Sequence, residues 1–143
     1  MTLGTLLATF LLDQLSKFLA LRALSFGESV PVLPPLFYVT LVQNTGIAFG
    51  MFQKWSRILL WMNLGILSFL FVLIGLRRFE RRMVQVGIGM VAGGGLGNLV
   101  DRFRFGYIVD FLDVRVRWPV FNLADSAICI GTGLILWALF RKR

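Results

Sequence analysis

The sequence predicts a mainly α-helical membrane protein with four transmembrane helices, and with strands and a short interfacial helix in the segments between them. Hydrophobic residues occupy 57% of the 143 positions, and only 15% of the residues are charged. The mean hydropathy is +0.80. A soluble domain of ordinary composition carries about 25% charged residues. Four long apolar runs leave room for one bundle, so we expect a single domain over residues 1–143.

Four apolar runs approach the length of about 20 helical residues that a bilayer core requires. The first run is interrupted by two basic residues, one acid and one amide, and the last contains one carboxylate. The first run lacks both a basic start and a small-x-small cleavage pattern, so we expect a retained helix rather than a signal peptide. The predicted helices cover residues 3–24, 58–76, 83–100 and 121–140.

Arginine and lysine gather at two places that set the predicted orientation. The link at 77–82 reads RRFERR and the chain ends RKR at 141–143, and the positive-inside rule places such clusters in the cytoplasm. Both termini are then cytoplasmic, and the segments 25–57 and 101–120 face outward. The net charge of +8 could indicate nucleic-acid binding, but seven of the fifteen basic residues belong to these clusters. We therefore expect no nucleic-acid partner.

Several kinds of catalysis are excluded by residue type. The sequence contains no histidine, which excludes Ser-His and Cys-His nucleophile systems and leaves zinc poorly supported. Cys129 is the single cysteine, and it can neither form a disulfide within the chain nor build a metal cluster. Ser16 and Lys17 are adjacent on a helix and do not face each other, which argues against a Ser-Lys pair. We expect no metal, no cofactor, and chemistry that depends on carboxylates, amides and arginines.

The first outward segment contains a predicted strand and a predicted helix. Residues 30–43 combine prolines with β-branched and aromatic residues, which predicts a bent extended stretch and then a strand from about Leu36. A polar turn at 44–46 follows. The apolar residues after it end at Lys54 and Trp55, which predicts a short helix lying in the membrane interface.

The second outward segment, YIVDFLDVRVRW at 107–118, alternates as a β-strand does. On one face Asp110 is the only polar side chain among apolar residues. The other face carries Asp113 together with Arg115 and Arg117, which indicates a solvated face on which the acid has cations nearby. The pattern therefore distinguishes Asp110 as the carboxylate in an apolar setting.

Two similar tetrapeptides flank this strand, NLVD at 98–101 and NLAD at 122–125. If helical, each places an asparagine and an aspartate one turn apart on the same face, and Arg102 joins the first pair. Both lie at outward ends of predicted helices, so their polar groups could converge at one depth. Asp13 and Lys17 form a further i, i+4 pair on the first helix, deeper in the membrane, where they could simply neutralise each other.

Ordinary structural roles account for most of these features. The asparagines could cap helices or bond neighbouring helices, and Asp101 could form an interfacial ion pair with Arg102. The glycines at 87–97 indicate close helix packing rather than a phosphate loop, since they lie within a predicted helix and lack the Lys-Ser/Thr ending of a nucleotide site. Asp110 and Asp125 remain, because a carboxylate in an apolar setting without an adjacent cation is costly and points to function.

Two carboxylates without histidine suggest an aspartic-protease mechanism. If they share a pocket, like-charge repulsion and desolvation keep one protonated while the other is ionised. The ionised carboxylate can take a proton from water as the water attacks a peptide carbonyl. The protonated carboxyl can stabilise the carbonyl oxygen and later help the amine to leave.

Five ordered motifs extend along the chain: LDQLSK at 12–17, NTGIAFG at 44–50, GGGLGNLVDR at 93–102, VDFLDV at 109–114 and FNLADSAI at 121–128. In this order they resemble the bacterial lipoprotein signal peptidases, the signal peptidase II family, over essentially the whole chain. The resemblance implies four transmembrane helices, a small extracytoplasmic β-sheet cradle and an interfacial helix. This architecture agrees with the elements predicted from the residues.

The resemblance also implies an aspartic endopeptidase of the bacterial inner membrane with its active site at the outer face. Such an enzyme removes signal peptides from prolipoproteins by cutting just before a diacylglyceryl-modified cysteine. The implied partners are the lipidated prolipoprotein, membrane lipid and globomycin-type peptide inhibitors. Asp110 and Asp125 would be the catalytic pair. The implied substrate-binding motifs contain Asn44, Asn98, Arg102, Asn122, Asp13 and Lys17.

The connection between Asp110 and Asp125 is a few residues shorter than the resemblance leads us to expect, which affects the expected cover over the substrate.

Two other classes of protein compete with a peptidase. A small transporter or channel subunit would use Asp13 and Asp125 as proton or cation sites, but transport favours carboxylates near the bilayer midplane and an internal repeat. A non-catalytic assembly factor would tolerate isosteric replacement of either aspartate.

Overall fold

The computed structural model describes residues 1–45, 56–76, 81–115 and 118–141, with the backbone alone for 56–59. This part of the chain forms helices and a small sheet, so the predicted mainly helical fold is confirmed. The predicted interfacial helix lies outside the described residues. In chain order the elements are α1 (Thr2–Ala23), β1 (Ser29–Leu33), β2 (Phe37–Asn44), α2 (Ser56–Gly75), α3 (Arg82–Phe105), β3 (Ile108–Val114) and α4 (Leu123–Phe140).

The described helices have membrane character. By length and composition α1, α3 and α4 could each cross a bilayer, and α2 contributes the shorter apolar stretch Leu60–Gly75. Large apolar side chains are exposed on the outer faces of the bundle, among them Leu11 of α1, Trp61 of α2 and Trp137 of α4. Such faces are stable in lipid rather than in water. The chain is therefore an integral membrane protein.

Helix α3 lies at the centre of the bundle, in contact with α1, α2 and α4. Glycines allow its neighbours to approach closely. A Cβ atom at Gly93 would lie 2.5 Å from the Leu6 carbonyl oxygen of α1, and one at Gly94 would lie 2.6 Å from the Ala124 carbonyl oxygen of α4. Both distances are far below a normal contact, so these positions require glycine. The prediction that the glycine-rich stretch packs helices is confirmed.

The strands form one antiparallel sheet in the order β1-β2-β3. Asp110 of β3 lies opposite Val42 of β2, and the last residue of β2, Asn44, lies opposite Ile108. An isolated bridge between Leu112 and Phe121 ties the segment before α4 back onto β3. Phe121 therefore lies against the sheet, and the N-terminal end of α4 lies beside Asp110.

Three element boundaries differ from the prediction. Helix α3 continues past residue 100 to Phe105, because Gly106 ends it in a left-handed conformation at φ 80°. Strand β3 ends at Val114 instead of continuing to 118. The stretch Ser29–Leu33, predicted to be bent and extended, is a paired strand. The longer α3 makes Asp101 and Arg102 helical, which the apolar run alone could not indicate.

The predicted solvated face of β3 is wrong. Asp113 is only 8% exposed. Its Oδ2 accepts a hydrogen bond from the Thr40 hydroxyl at 2.7 Å and forms an ion pair with Arg115 at 3.0 Å. The face is buried because its apolar residues pack into a cluster with the end of α1 and the middle of β2. That cluster contains Ala20, Leu41, Val109 and Phe111.

Candidate active site

Asp110 lies on β3 with only 1% of its surface exposed. Its Oδ2 accepts a hydrogen bond from Asn44 Nδ2 at 2.8 Å, and its Oδ1 accepts one from Asn122 Nδ2 at 2.6 Å. Burial raises the pKa of Asp110 to about 7, and the charge of Asp125 adds to the rise, while the two amides and Lys17 oppose it. Asp110 is therefore buried, as expected, but two amide groups contact its carboxylate. Burial is nevertheless the largest influence on its pKa.

Asp125 lies in the first turn of α4 and is partly exposed. Its Oδ1 accepts a hydrogen bond from Asn98 Nδ2 at 2.8 Å, and its backbone N–H donates to Asn122 Oδ1 at 2.9 Å. Asn122 is therefore the N-cap of α4 and has extended backbone angles. Asn122 and Asp125 are therefore not one helical turn apart as predicted, and the cap instead joins the Asn122 side chain to the backbone of Asp125.

Asn98 and Asn122 link the two aspartates. Asn122 Nδ2 lies 3.1 Å from Asn98 Oδ1, in addition to its bond with Asp110. The contacts therefore run without a break from Asp110 through Asn122 and Asn98 to Asp125. Both asparagines are buried, at 4% and 0% exposure. Their amide groups hold two carboxylates from different elements in one site.

Arg102 lies near the end of α3, is partly exposed, and interacts electrostatically with Asp125 and Asp110. Its guanidinium group therefore adds a positive charge near the two carboxylates. Arg102 also interacts electrostatically with Asp101, but among the described residues the two do not form the predicted ion pair. Across the described part of the chain the ion pair of Asp101 is with Lys17, at 2.8 Å. In α3 Asp101 is directed toward α1, where it is 1% exposed.

Asp13 and Lys17 of α1 are buried behind the aspartates, at 0% and 2% exposure. Lys17 Nζ lies 2.8 Å from Asp13 Oδ2 and 2.9 Å from Asn98 Oδ1. Gln14 Nε2 donates to Asp13 Oδ2 at 3.2 Å and to Asp101 Oδ1 at 3.1 Å. Substrate contact from such positions would require the helices to separate.

Sequence reasoning missed Gln14 and Gly97 and gave Asp101 the wrong partner. A Cβ atom at Gly97 would collide with the Asp13 carboxylate, so this glycine makes room for the buried acid. The available signal was the polar content of the first apolar run, which places Asp13, Gln14 and Lys17 within about one turn. Charged and polar groups within an apolar run need partners when they are buried, and this need indicated contacts beyond the Asp13–Lys17 pair.

The described residues contain no group of three acidic or cysteine side chains placed to hold a metal ion. Every fully buried side-chain nitrogen or oxygen in the described ranges has a hydrogen-bond partner. The site is thus a satisfied network of carboxylates and amides, with the charges of Lys17 and Arg102 beside it. Carboxyl groups held in this way can donate and accept protons.

Two solved structures share this architecture, and both are described as bacterial membrane enzymes. One, determined by the in meso method at 1.9 Å resolution, superposes with a TM-score of 0.89 and 28% identity over 99% of this chain and 94% of its own. The other, at 2.3 Å resolution, has a TM-score of 0.88 and 29% identity over 96% of this chain and 86% of its own. The fold is that of a membrane enzyme.

The family described as Signal peptidase (SPase) II matches residues 5–141. The lipoprotein signal peptidase of Pelotomaculum thermopropionicum is 45% identical over 90% of this chain and 84% of its own length. That of Halothermothrix orenii is 41% identical over 95% and 92%, and that of Trichormus variabilis is 43% identical over 93% and 85%. The chain belongs to the signal peptidase II family and is a protease, as its five motifs predicted.

Proposed function

We propose that this protein removes signal peptides from lipid-modified prolipoproteins as an aspartic endopeptidase, with Asp110 and Asp125 as its catalytic dyad. It cuts on the N-terminal side of the diacylglyceryl-modified cysteine. The observation that carries the proposal is the amide chain that joins the two carboxylates, one of which has a pKa near neutrality. Family membership supports the substrate class.

In the proposed reaction ionised Asp125 takes a proton from the water molecule that attacks the scissile carbonyl. Protonated Asp110 donates its proton to the carbonyl oxygen, which forms a neutral tetrahedral intermediate. Collapse breaks the C–N bond, with one proton passing to the leaving amine and one returning to the dyad. The raised pKa of Asp110 supports its role as the acid, because a carboxyl with a pKa of about 7 is protonated in about half of the molecules at neutral pH.

The neighbouring residues divide into two proposed groups. We assign Asn44, at the end of β2, and Arg102, which is partly exposed, to binding of the substrate's peptide backbone. Asn98 and Asn122 are buried against the carboxylates, so we assign them the orientation of the dyad. Inhibitors of the globomycin type would bind at the same residues, and the acyl chains of the substrate would lie in membrane lipid.

The proposed setting is the bacterial inner membrane, crossed four times, with both termini cytoplasmic and the active site at the outer face. Two arginine-rich clusters support this orientation. A reporter active only outside the cytoplasm should be silent when fused after Arg143 and active when inserted near Gly27. The reverse pattern would place the dyad in the wrong compartment for a lipoprotein peptidase.

The decisive experiment incubates purified protein in lipid with one prolipoprotein prepared with and without the diacylglyceryl group. We expect cleavage of the lipidated form and little or none of the unlipidated form, and equal rates would indicate a general signal peptidase.

Asp125→Asn keeps the shape of the side chain but cannot cycle a proton, so the folded, inserted variant should be essentially inactive. Near-normal cleavage by this variant would rule out the aspartic mechanism and favour a non-catalytic role for the acid.

A further inference from the structure

A second pair of carboxylates lies behind the proposed dyad and holds the backbone on which the dyad is carried. Asp101 Oδ2 accepts a hydrogen bond from the Val109 backbone N–H at 3.1 Å. Asp13 Oδ1 accepts one from the Ala124 backbone N–H at 2.9 Å. Val109 and Ala124 are the residues immediately before Asp110 and Asp125. Each catalytic aspartate therefore follows a peptide group that is fixed by a buried carboxylate.

Lys17 joins these two carboxylates. Its Nζ lies 2.8 Å from Asp13 Oδ2 and 2.8 Å from Asp101 Oδ2, so one ammonium group bridges the acid that holds β3 and the acid that holds α4. We call Asp13, Lys17 and Asp101 the Lys17 clamp. All three side chains are at most 2% exposed. Because water cannot take the place of a lost partner at such buried positions, separating these charged groups would be costly.

The clamp also reaches the dyad directly. Lys17 Nζ donates to Asn98 Oδ1 at 2.9 Å, and Asn98 donates to Asp125 at 2.8 Å. The positive charge of Lys17 acts on Asp110 as well, where it lowers the pKa. An ion pair that only attached α1 to α3 would need neither the two backbone contacts nor this link to Asn98.

We propose that Lys17, through the clamp, is a positioning residue that sets the separation and orientation of Asp110 and Asp125. This inference rests on the proposed dyad. Lys17 does not touch the substrate. It acts through Asp101 on the backbone of β3, through Asp13 on the first turn of α4, and through Asn98 on the Asp125 side chain.

The charge of Lys17 distinguishes this role from simple support of the fold. The groups that act on Asp110 are Lys17 from α1, the Asn44 amide from β2, and Asp125 and the Asn122 amide from α4 and its cap. Arg102 of α3 interacts with the same carboxylate. Lys17 lowers the pKa of Asp110, although less than the two amides do, so we expect removal of its charge to raise this pKa and to move the loss of activity at alkaline pH to higher pH.

The test compares Lys17→Gln and Asp101→Asn with the wild type in lipid, with Asp113→Asn as the control for a buried acid paired to a cation elsewhere on β3. Folding is verified by thermal unfolding. Because misplacement by about 1 Å can cost about 100-fold, we expect kcat to fall about 100-fold in both clamp variants. The KM for the lipidated prolipoprotein should change little, since the clamp is buried away from the substrate.

The two clamp variants should differ in their pH profiles. Lys17→Gln should move the alkaline limb to higher pH, while Asp101→Asn, which keeps the cation, should move it less. Infrared titration of the protonated Asp110 carboxyl, identified by its absence in Asp110→Asn, should show the same rise in pKa. This readout does not depend on activity.

The outcomes separate the clamp from the dyad. If Asp125→Asn and Asp110→Asn are inactive while a folded Lys17→Gln keeps the wild-type kcat and pH profile, the clamp is overturned and the dyad stands. If Lys17→Gln does not fold, Asp101→Asn decides, and its wild-type kcat overturns the clamp. If the infrared shift appears while both dyad variants remain active, the dyad assignment is wrong although the electrostatic link exists.

Discussion

The two halves of helix α3 hold their neighbours by different means. In the first half glycines bring α3 against α4 and α1, as at Gly87 and Gly93, where added Cβ atoms would meet backbone oxygens. In the second half Asn98 and Asp101 bond to side chains and backbone of α1, β3 and α4. The first half sets how closely the helices approach, and the second half determines which polar atoms then meet.

This difference shows how an apolar bundle can hold charged groups in fixed positions. Close approach of backbones excludes water and lipid, and buried polar groups then have only each other as partners. Across the described ranges no fully buried side-chain polar atom lacks a partner. Changes in the first half of α3 should therefore affect stability, and changes around the second half should affect chemistry.

The largest effect should follow substitution of Asp110, the proposed catalytic acid. Asp110→Asn removes the proton that the reaction needs, so we expect a loss of about 1,000-fold or more in kcat/KM, or about 4 kcal/mol of transition-state stabilisation. Initial rates on the lipidated prolipoprotein measure it. Asp113→Asn is the matched control on the same strand and should remain within about threefold of the wild type, since Asp113 bonds to Thr40 and Arg115 rather than to the dyad. An active Asp110→Asn beside an inactive, folded Asp113→Asn would reverse the assignment.

Two glycine substitutions compare the halves of α3 directly. Gly97→Ala places a methyl group against the Asp13 carboxylate, so it should lower kcat by about tenfold or more through the polar network. Gly93→Ala meets the Leu6 carbonyl oxygen and should destabilise the fold by about 1–3 kcal/mol. Its folded fraction should keep the wild-type kcat. Thermal unfolding and active-fraction kinetics separate the effects, and equal kcat losses in both variants would remove the distinction.

The pH dependence should show a smaller, graded effect at the same acid. Because burial raises the pKa of Asp110 to about 7, activity should fall about tenfold for each pH unit above that value as the acid is lost. The folded state also binds this proton more tightly than the unfolded chain does. Its stabilising contribution is present below about pH 4 and is lost as the pH rises through about 7. Rate profiles and unfolding measured from pH 5 to 9 test both statements, and a flat rate profile through pH 7 would contradict the role of Asp110 as the acid.

The sequence pointed to the two residues of the proposed dyad more readily than to their surroundings. Alternation along β3 singled out Asp110, and an apolar run singled out Asp125, since both patterns are local. The partner of Asp101 was wrongly predicted because Arg102 is adjacent in sequence while Lys17 is 84 positions away. The burial of Asp113 was also missed, because the residues that cover its face come from α1 and β2.

By itself the sequence determined the membrane character, the main helices, the family motifs and a chemistry without histidine, because these depend on composition and on short-range order. The tertiary structure decided which polar atoms meet: Lys17 with Asp101, Asn122 as the cap of α4, and Asn98 between Lys17 and Asp125. The physical reason is that partner choice inside a bundle depends on the distance and rotation between helices. In this protein the glycines of α3 allow the neighbouring helices to approach closely, because a Cβ atom at those positions would meet atoms of α1 or α4.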